Sequence, residues 1–150
     1  MARKYSVGKG IDAYISSLER SEKVTRAAIG MAIYDGAKIV ADAIHAEIEK
    51  LPDNTPRLRK QKEGLLEGLG VTHIRDENGV RNVKIGFDGY NDVITPTYPK
   101  GQPNSMLARS LVSGTSFAPK NDFIGRAIRK SKAAAETAMK LRIDRTINNI

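Results

Sequence analysis

Between Ile29 and Leu51 the apolar residues fall at Ile29, Ile33, Ala37, Val40, Ile44, Ile48 and Leu51, three or four apart throughout. That spacing places them on one side of an α-helix, and no other segment constrains the fold as firmly. Pro52, with Asp53 and Asn54 behind it, ends the helix, because proline has no N–H to donate and its ring clashes with the preceding turn. Ser21 is a suitable N-cap. The spacing therefore predicts a helix over 22–50, roughly 40 Å long at about 1.5 Å per residue. Residues 1–20 read as an N-terminal arm and a separate short helix over 10–20, with Ile11, Tyr14, Ile15 and Leu18 on one side.

Beyond Pro52, residues 53–64 are polar and hold a second proline and a basic run, Arg57, Arg59, Lys60 and Lys62. The stretch Glu63-Gly64-Leu65-Leu66-Glu67-Gly68-Leu69-Gly70 is too rich in glycine for a helix interior, each glycine costing about 1 kcal/mol relative to alanine. It predicts at most a helical turn leading into a strand. Val71–Glu77, then Asn78-Gly79, then Val80–Phe87 is a β-hairpin pattern, since Asn-Gly supplies the positive φ angles of a type I′ turn. In the return strand Val83, Ile85 and Phe87 alternate with Asn82, Lys84 and Gly86, which predicts one buried and one wet face. Residues 88–103 form a long loop with Pro96 and Pro99, expected to be exposed and ordered only by a partner. Pro103-Asn104-Ser105 opens another helix through about Ser113, Gly114 stops it, and Asn121 or Asp122 caps a last one. The predicted order is α-α-β-β-α-α within one domain over 1–150. Its class is α+β, a long N-terminal helix on a small antiparallel sheet with a long C-terminal helix.

The residues that carry chemistry are sparse. With no cysteine, thiol nucleophiles, thiolate zinc sites and disulfides are excluded. The start, MARKYSVGKG, is basic but no apolar run follows, so it is not expected to be a secretory signal. Val24–Leu51 carries too many charges to span a bilayer. His45 and His73 lack metal-motif spacing, Gly8-Lys9-Gly10 is no phosphate loop, and Asp76, Glu77, Asp88 and Asp92 sit in turns. No catalytic, metal or cofactor site is expected, and the chain does not read as an enzyme. The net charge of +8 invites a nucleic-acid reading. Much of the excess lies after Lys120, where Arg126, Arg129, Lys130 and Lys132 fall within two helical turns. Two readings stay open there: a solvated helix face with an alanine-rich inner side, or a phosphate-contacting surface.

Several separated pieces together resemble the tail-component, or neck, family of long-tailed bacteriophages, whose members act in head–tail joining. Glu63-Gly64-Leu65-Leu66-Glu67-Gly68-Leu69 is similar to the family's T-G-x-L-x-x-S-I segment, and Val83-Lys84-Ile85-Gly86-Phe87 to its strand ending in Gly-aromatic. Val112-Ser113-Gly114-Thr115, Pro119 and Asp122-Phe123-Ile124-Gly125-Arg126-Ala127 follow in the order of its E-aromatic-G-T, proline link and P-F-L-x-x-A motifs. Glu63, Val112, Ser113 and Asp122 stand where the family has Thr, Glu, an aromatic and Pro. The residues that carry the likeness are Gly64, Leu65, Gly86, Phe87, Gly114, Thr115, Phe123 and Ala127.

The resemblance implies a structural virion protein of the neck or tail, assembled in the host cytoplasm without membrane or cofactor. It implies a homo-oligomeric ring, six subunits by tail symmetry, between partners such as a connector or stopper and a tail terminator. Contact with passing DNA would be weak at most. Subunit contacts would come from sheet edges, the terminal helices and the loop. Tyr90, Asp92, Tyr98 and Lys100 are the loop's candidates for meeting an adjacent ring, and deleting residues 91–101 is expected to leave the monomer folded. The alternative is a nucleic-acid-binding module using the basic C-terminal helix.

Overall fold

The computed structural model describes the backbone of residues 9–148 and the side chains of residue 20, residues 22–146 and residue 148. Helix α1 runs over Lys9–Glu49, 41 residues or roughly 60 Å. The two predicted N-terminal helices are therefore one, and Ser21 lies inside it rather than capping a new start. An interior serine costs only a few tenths of a kcal/mol relative to alanine, too little to break a helix that no proline interrupts. The apolar face expected at Ile11, Tyr14, Ile15 and Leu18 lies outside the described side chains. At its other end α1 tightens, with Lys50 N donating to Glu47 O (3.2 Å) and Leu51 N to Ile48 O (2.9 Å), just before Pro52.

The main partner of α1 is the last helix, α4 (Phe123–Asn148), which packs against it antiparallel. Glu47 meets Arg126 and Lys130 near one end of the pair, and Asp35 meets Arg142 further along. Small residues line the approach. Ala28, Ala32, Gly36 and Ala37 are buried on α1, and Ala127, Ser131 and Ala135 on α4. A Cβ on Gly36 would stand 2.6 Å from Met139 Sδ. The predicted stripe holds from Ala37 on, where Ala37, Ile44, Ile48 and Leu51 are buried and Val40 is half-buried. Ile29 is exposed and Ile33 half-buried, while Ala28 and Ala32, one position earlier, are sealed. One residue is about 100° of helix rotation, so the buried face at this level is offset from the stripe, with Gly30 buried against Ile74 and Arg81 of the hairpin, while the remaining elements lie further along α1.

Those elements gather at the Leu51 end. Helix α2 (Pro56–Gly68) is capped by Thr55, whose Oγ1 accepts from Leu58 N at 3.2 Å, with Pro56 in the first turn. The expectation that Gly64 and Gly68 preclude a helix here is corrected. The chain stays helical to Gly68, and the glycines are required by what lies against them. Helix α3 is Asn104–Ser113, stopped as expected by Gly114 at φ +79°. Ile44, Ile48, Leu51, Leu65, Leu107, Phe123 and Ala127 form one core, and Phe87 meets Phe123 edge-on at 6.4 Å.

The hairpin is present but carries a bulge. Strand β1 (Leu69–Val71) pairs antiparallel with β4 (Ile85–Phe87), with Leu69 opposite Phe87. Strand β2 (Arg75–Glu77) pairs with β3 (Val80–Asn82), with Glu77 opposite Val80. Three residues, Thr72, His73 and Ile74, face two, Val83 and Lys84, so the register slips by one. The predicted alternation holds from Val83 to Phe87, with Val83, Ile85 and Phe87 half-buried and Lys84 and Gly86 exposed, and only Asn82, half-buried, departs from it. The bulge aims the tip at α1, where Ile74 N donates to Tyr34 Oη (2.9 Å) and Arg81 Nη1 to Arg26 O (2.7 Å). Asn78 (φ +54°) and Gly79 (φ +80°) close the turn as the Asn-Gly pair predicts.

Candidate functional site

The glycines of α2 seat the long loop. A Cβ on Gly64 would lie 2.6 Å from both Asn91 Cβ and Asn104 Oδ1, and one on Gly68 would run into the Asp88 carbonyl oxygen. Asn91 then organises the loop base. Its Oδ1 accepts from Val93 N (2.9 Å) and Gln102 N (3.2 Å), and its own N–H donates to Gln102 O (2.9 Å). Gln102 Oε1 accepts from Gln61 Nε2 on α2 at 3.2 Å, and Asn104 N donates to Gly89 O at 3.0 Å. Further out, Thr95 and Tyr98 exchange backbone hydrogen bonds at 3.1 Å, and Tyr98 Oη donates to Met106 Sδ.

Two expectations are corrected by this arrangement. The loop is ordered by its own hydrogen bonds rather than by a partner. Deleting residues 91–101 would remove buried Asn91, Val93 and Gly101 and damage the fold. Of the candidate contact residues, Tyr90, Asp92 and Lys100 are exposed, whereas Tyr98 is half-buried against Met106. Ile94, which sequence reasoning missed, is 71% exposed, and Tyr90 is 66% exposed.

A second feature lies across α2. Leu51, Leu58, Leu65, Leu111, Ala118 and Pro119 line an apolar crevice of about 210 Å³, where the corner after α1 meets α2, α3 and the segment before α4. At its edge Phe117 is 98% exposed. The turn that carries it is fixed: Thr115 Oγ1 accepts from Phe117 N (3.2 Å) and Ala118 N (3.1 Å), and Thr115 N donates to Ala118 O (2.9 Å). The ring therefore stands outward on a hydrogen-bonded support.

The basic face of α4 is largely engaged. Glu47, its side chain only 6% exposed, accepts from Lys130 Nζ at 2.7 Å and from Lys50 Nζ and Arg126 Nε at 3.3 Å each. The Lys130 hydrogen bond, helped by those from Lys50 and Arg126 and opposed by burial, holds the Glu47 carboxyl at a pKa of about 2. The same hydrogen bond to Glu47 raises Lys130. Arg129 reaches Asp122 at 3.6 Å, and Asp122 caps α4 by accepting from Gly125 N at 3.1 Å. Of the four candidate phosphate contacts, Arg126, Arg129 and Lys130 face carboxylates, while Lys132 is exposed. Glu47 was legible as a carboxylate set between Ile44 and Ile48 on an apolar stripe.

The remaining residues singled out by sequence have packing roles. Leu65, Phe123 and Ala127 are fully buried in the core, with Phe87 against Phe123. Gly86 faces open space, Gly114 donates its N–H to Ser110 O, and Thr115 shapes the Phe117 turn. His45 lies 3.2 Å from Glu49 on the exposed side of α1, and His73 is exposed. Among the described residues no cluster of His, Asp and Glu could hold a metal ion, and no helix is long and apolar enough to cross a membrane. In comparisons with known proteins, no family model, no curated protein and no solved structure matches the chain.

Proposed function

We propose that the chain is a structural subunit of a bacteriophage neck or tail, a head–tail joining or tail-completion component acting as a homo-oligomeric ring. It would work in the virion, between a connector or stopper and a tail terminator, after assembly in the host cytoplasm. Six subunits would match the symmetry of a tail. The observation that carries this reading is the placement of large exposed apolar side chains. Val80, Tyr90, Ile94 and Phe117 stand on hydrogen-bonded turns and loops at separate places on the surface. Apolar groups presented on fixed supports are suited to contact with other protein surfaces. The ordered sequence motifs from Gly64 to Ala127 point the same way.

The test is electron microscopy of particles from a strain lacking the gene. Filled heads beside separate, complete-looking tails are expected, and normally joined virions would end the proposal. The second reading, a nucleic-acid-binding module, draws on the charge of +8. It is the weaker one because Glu47 and Asp122 already engage Arg126, Lys130 and Arg129. Tight DNA retention that falls steeply with added salt would favour it.

A further inference from the structure

The tip of the hairpin joins a chemically labile sequence to a weakly held turn. Asn78 is the one asparagine of the chain that is followed by glycine. It is exposed and sits in the turn at φ +54°, with Gly79 at φ +80°. A Cβ built on Gly79 would meet nothing within 4 Å, so the space beside the Asn78–Gly79 peptide bond is open. Among the described residues no hydrogen bond ties up the Gly79 N–H. Asn91 and Asn104 differ on every count. They are buried, their side chains are engaged with Val93, Gln102 and the Asp88 carbonyl, and Asp92 and Ser105 follow them.

Little holds this turn closed. Strands β2 and β3 pair only with each other, three residues each, and every residue of β2 is exposed. A lone two-stranded hairpin is marginal in water. The bonds that fasten the tip to α1 run from Ile74 to Tyr34 and from Arg81 to Arg26, and neither involves Asn78 or Gly79. Segments with few buried contacts open at the low end of the local-stability scale, so the turn can reach other backbone conformations without unfolding the core.

We propose that Asn78 is a site of spontaneous deamidation, with water as the co-reactant. The Gly79 nitrogen gives up its proton and bonds to Asn78 Cγ. The Cγ–Nδ2 bond breaks, and ammonia leaves with that proton. Glycine favours this step because no side chain crowds the attacking nitrogen. The cyclic succinimide that results takes up water at either of its carbonyl carbons. Opening at Cγ yields aspartate, and opening at the main-chain carbonyl carbon yields isoaspartate, whose backbone runs through Cβ and Cγ. Either product sets a new carboxylate beside Asp76 and Glu77. Isoaspartate also lengthens the backbone of a turn whose two-residue geometry has no room for it. The tip then loosens from α1, and with it Val80, which is 64% exposed. The chemistry is independent of the neck reading and bears on it only through Val80.

The test follows the full chain through prolonged incubation at neutral and mildly alkaline pH, both native and unfolded in urea. Beside it runs Asn78→Gly, whose Gly-Gly turn keeps the type I′ geometry without an amide to lose. Trypsin releases Asp76–Arg81, and mass spectrometry with isoaspartyl methyltransferase labelling reads its conversion. The native chain is expected to convert at a rate within about a hundredfold of the urea sample, the folded turn adding at most about 2.7 kcal/mol to the barrier. Conversion should quicken with pH, because the attacking nitrogen must lose its proton. Hydrogen exchange at the Ile74 amide should be faster in the converted chain and unchanged in Asn78→Gly. A native chain that stays intact while the urea sample converts would overturn the proposal. So would conversion that spares Asp76–Arg81, or an Asn78→Gly chain that gains mass at the wild-type rate. An Ile74 amide that exchanges no faster after conversion would overturn the loosening of the tip.

Discussion

Replacing a helical glycine by alanine normally stabilises, by about 1 kcal/mol in an exposed helix interior. For Gly64 the structure reverses that sign. The new Cβ would stand 2.6 Å from Asn91 Cβ and from Asn104 Oδ1, and 3.2 Å from Asn91 Cα. Asn91 cannot retreat cheaply, because its amide and backbone hold Val93 and Gln102. Gly68 is tighter still, since the obstacle is the backbone carbonyl of Asp88, and Asp88 N donates to Gly68 O at 2.8 Å. Overpacking of this kind costs about 1–3 kcal/mol, against a propensity gain of about 1 kcal/mol at most. Gly64→Ala and Gly68→Ala should therefore each lose up to about 2 kcal/mol net instead of gaining about 1 kcal/mol.

At about 2–4 °C per kcal/mol for a chain of this size, the loss appears as a melting temperature lower by up to roughly 8 °C. Gly30→Ala is the control. It lies within α1, and its Cβ would meet only side-chain ends, Ile74 Cδ1 at 3.1 Å and Arg81 Nη1 at 3.5 Å. Those ends can move, so Gly30→Ala should hold or raise the melting temperature. Thermal and urea melts followed by circular dichroism decide the matter. If Gly64→Ala and Gly68→Ala behave like Gly30→Ala, the loop is not seated on α2 as described.

Phe123→Ala should cost about 3–5 kcal/mol, because the ring is fully buried against Phe87 and the core. A loss under about 1 kcal/mol in urea melts would show that α4 is not anchored there. Phe117→Ser should change stability by less than about 0.5 kcal/mol, the ring being 98% exposed. A large drop in melting temperature would mean that Phe117 is buried in the isolated chain. Glu47 sets a pH dependence of definite sign: its folded pKa, about 2, lies below its unfolded one, near 4.3 for a free glutamate. The stability it contributes is therefore full above about pH 4.5 and lost as pH falls towards 2. Glu47→Gln should flatten the stability profile in that window, and an unchanged acid limb would contradict the ion cluster.

What the sequence made legible was whatever a single segment decides for itself. Pro52, Asn78-Gly79, Gly114 and Asp122 act through their own backbones or nearest neighbours, and each does in the structure what its chemistry predicts. What it concealed depends on distant segments. The glycines of α2 look like helix breakers until Asn91, Asp88 and Asn104 are set against them. Ile29 completes a periodic stripe, but at that level the buried positions are Ala28, Gly30 and Ala32, with Gly30 set against Ile74 and Arg81 of the hairpin. The phosphate-contacting reading of α4 failed to anticipate Glu47 for the same reason, its partners lying about 80 residues away in sequence.

The same division applies to function. Charge counted along the sequence placed the basic surplus on the last helix and so pointed at nucleic acid. Folding pairs Arg126, Arg129, Lys130 and Arg142 of that helix with Glu47, Asp122 and Asp35, and leaves Lys132, Lys140 and Arg145 without ion-pair partners among the described residues. The positive charge left on that face for a phosphate backbone is thus smaller than the sequence count, and substituting Arg126, Arg129 or Lys130 would disturb the packing of α4 as well as any DNA contact.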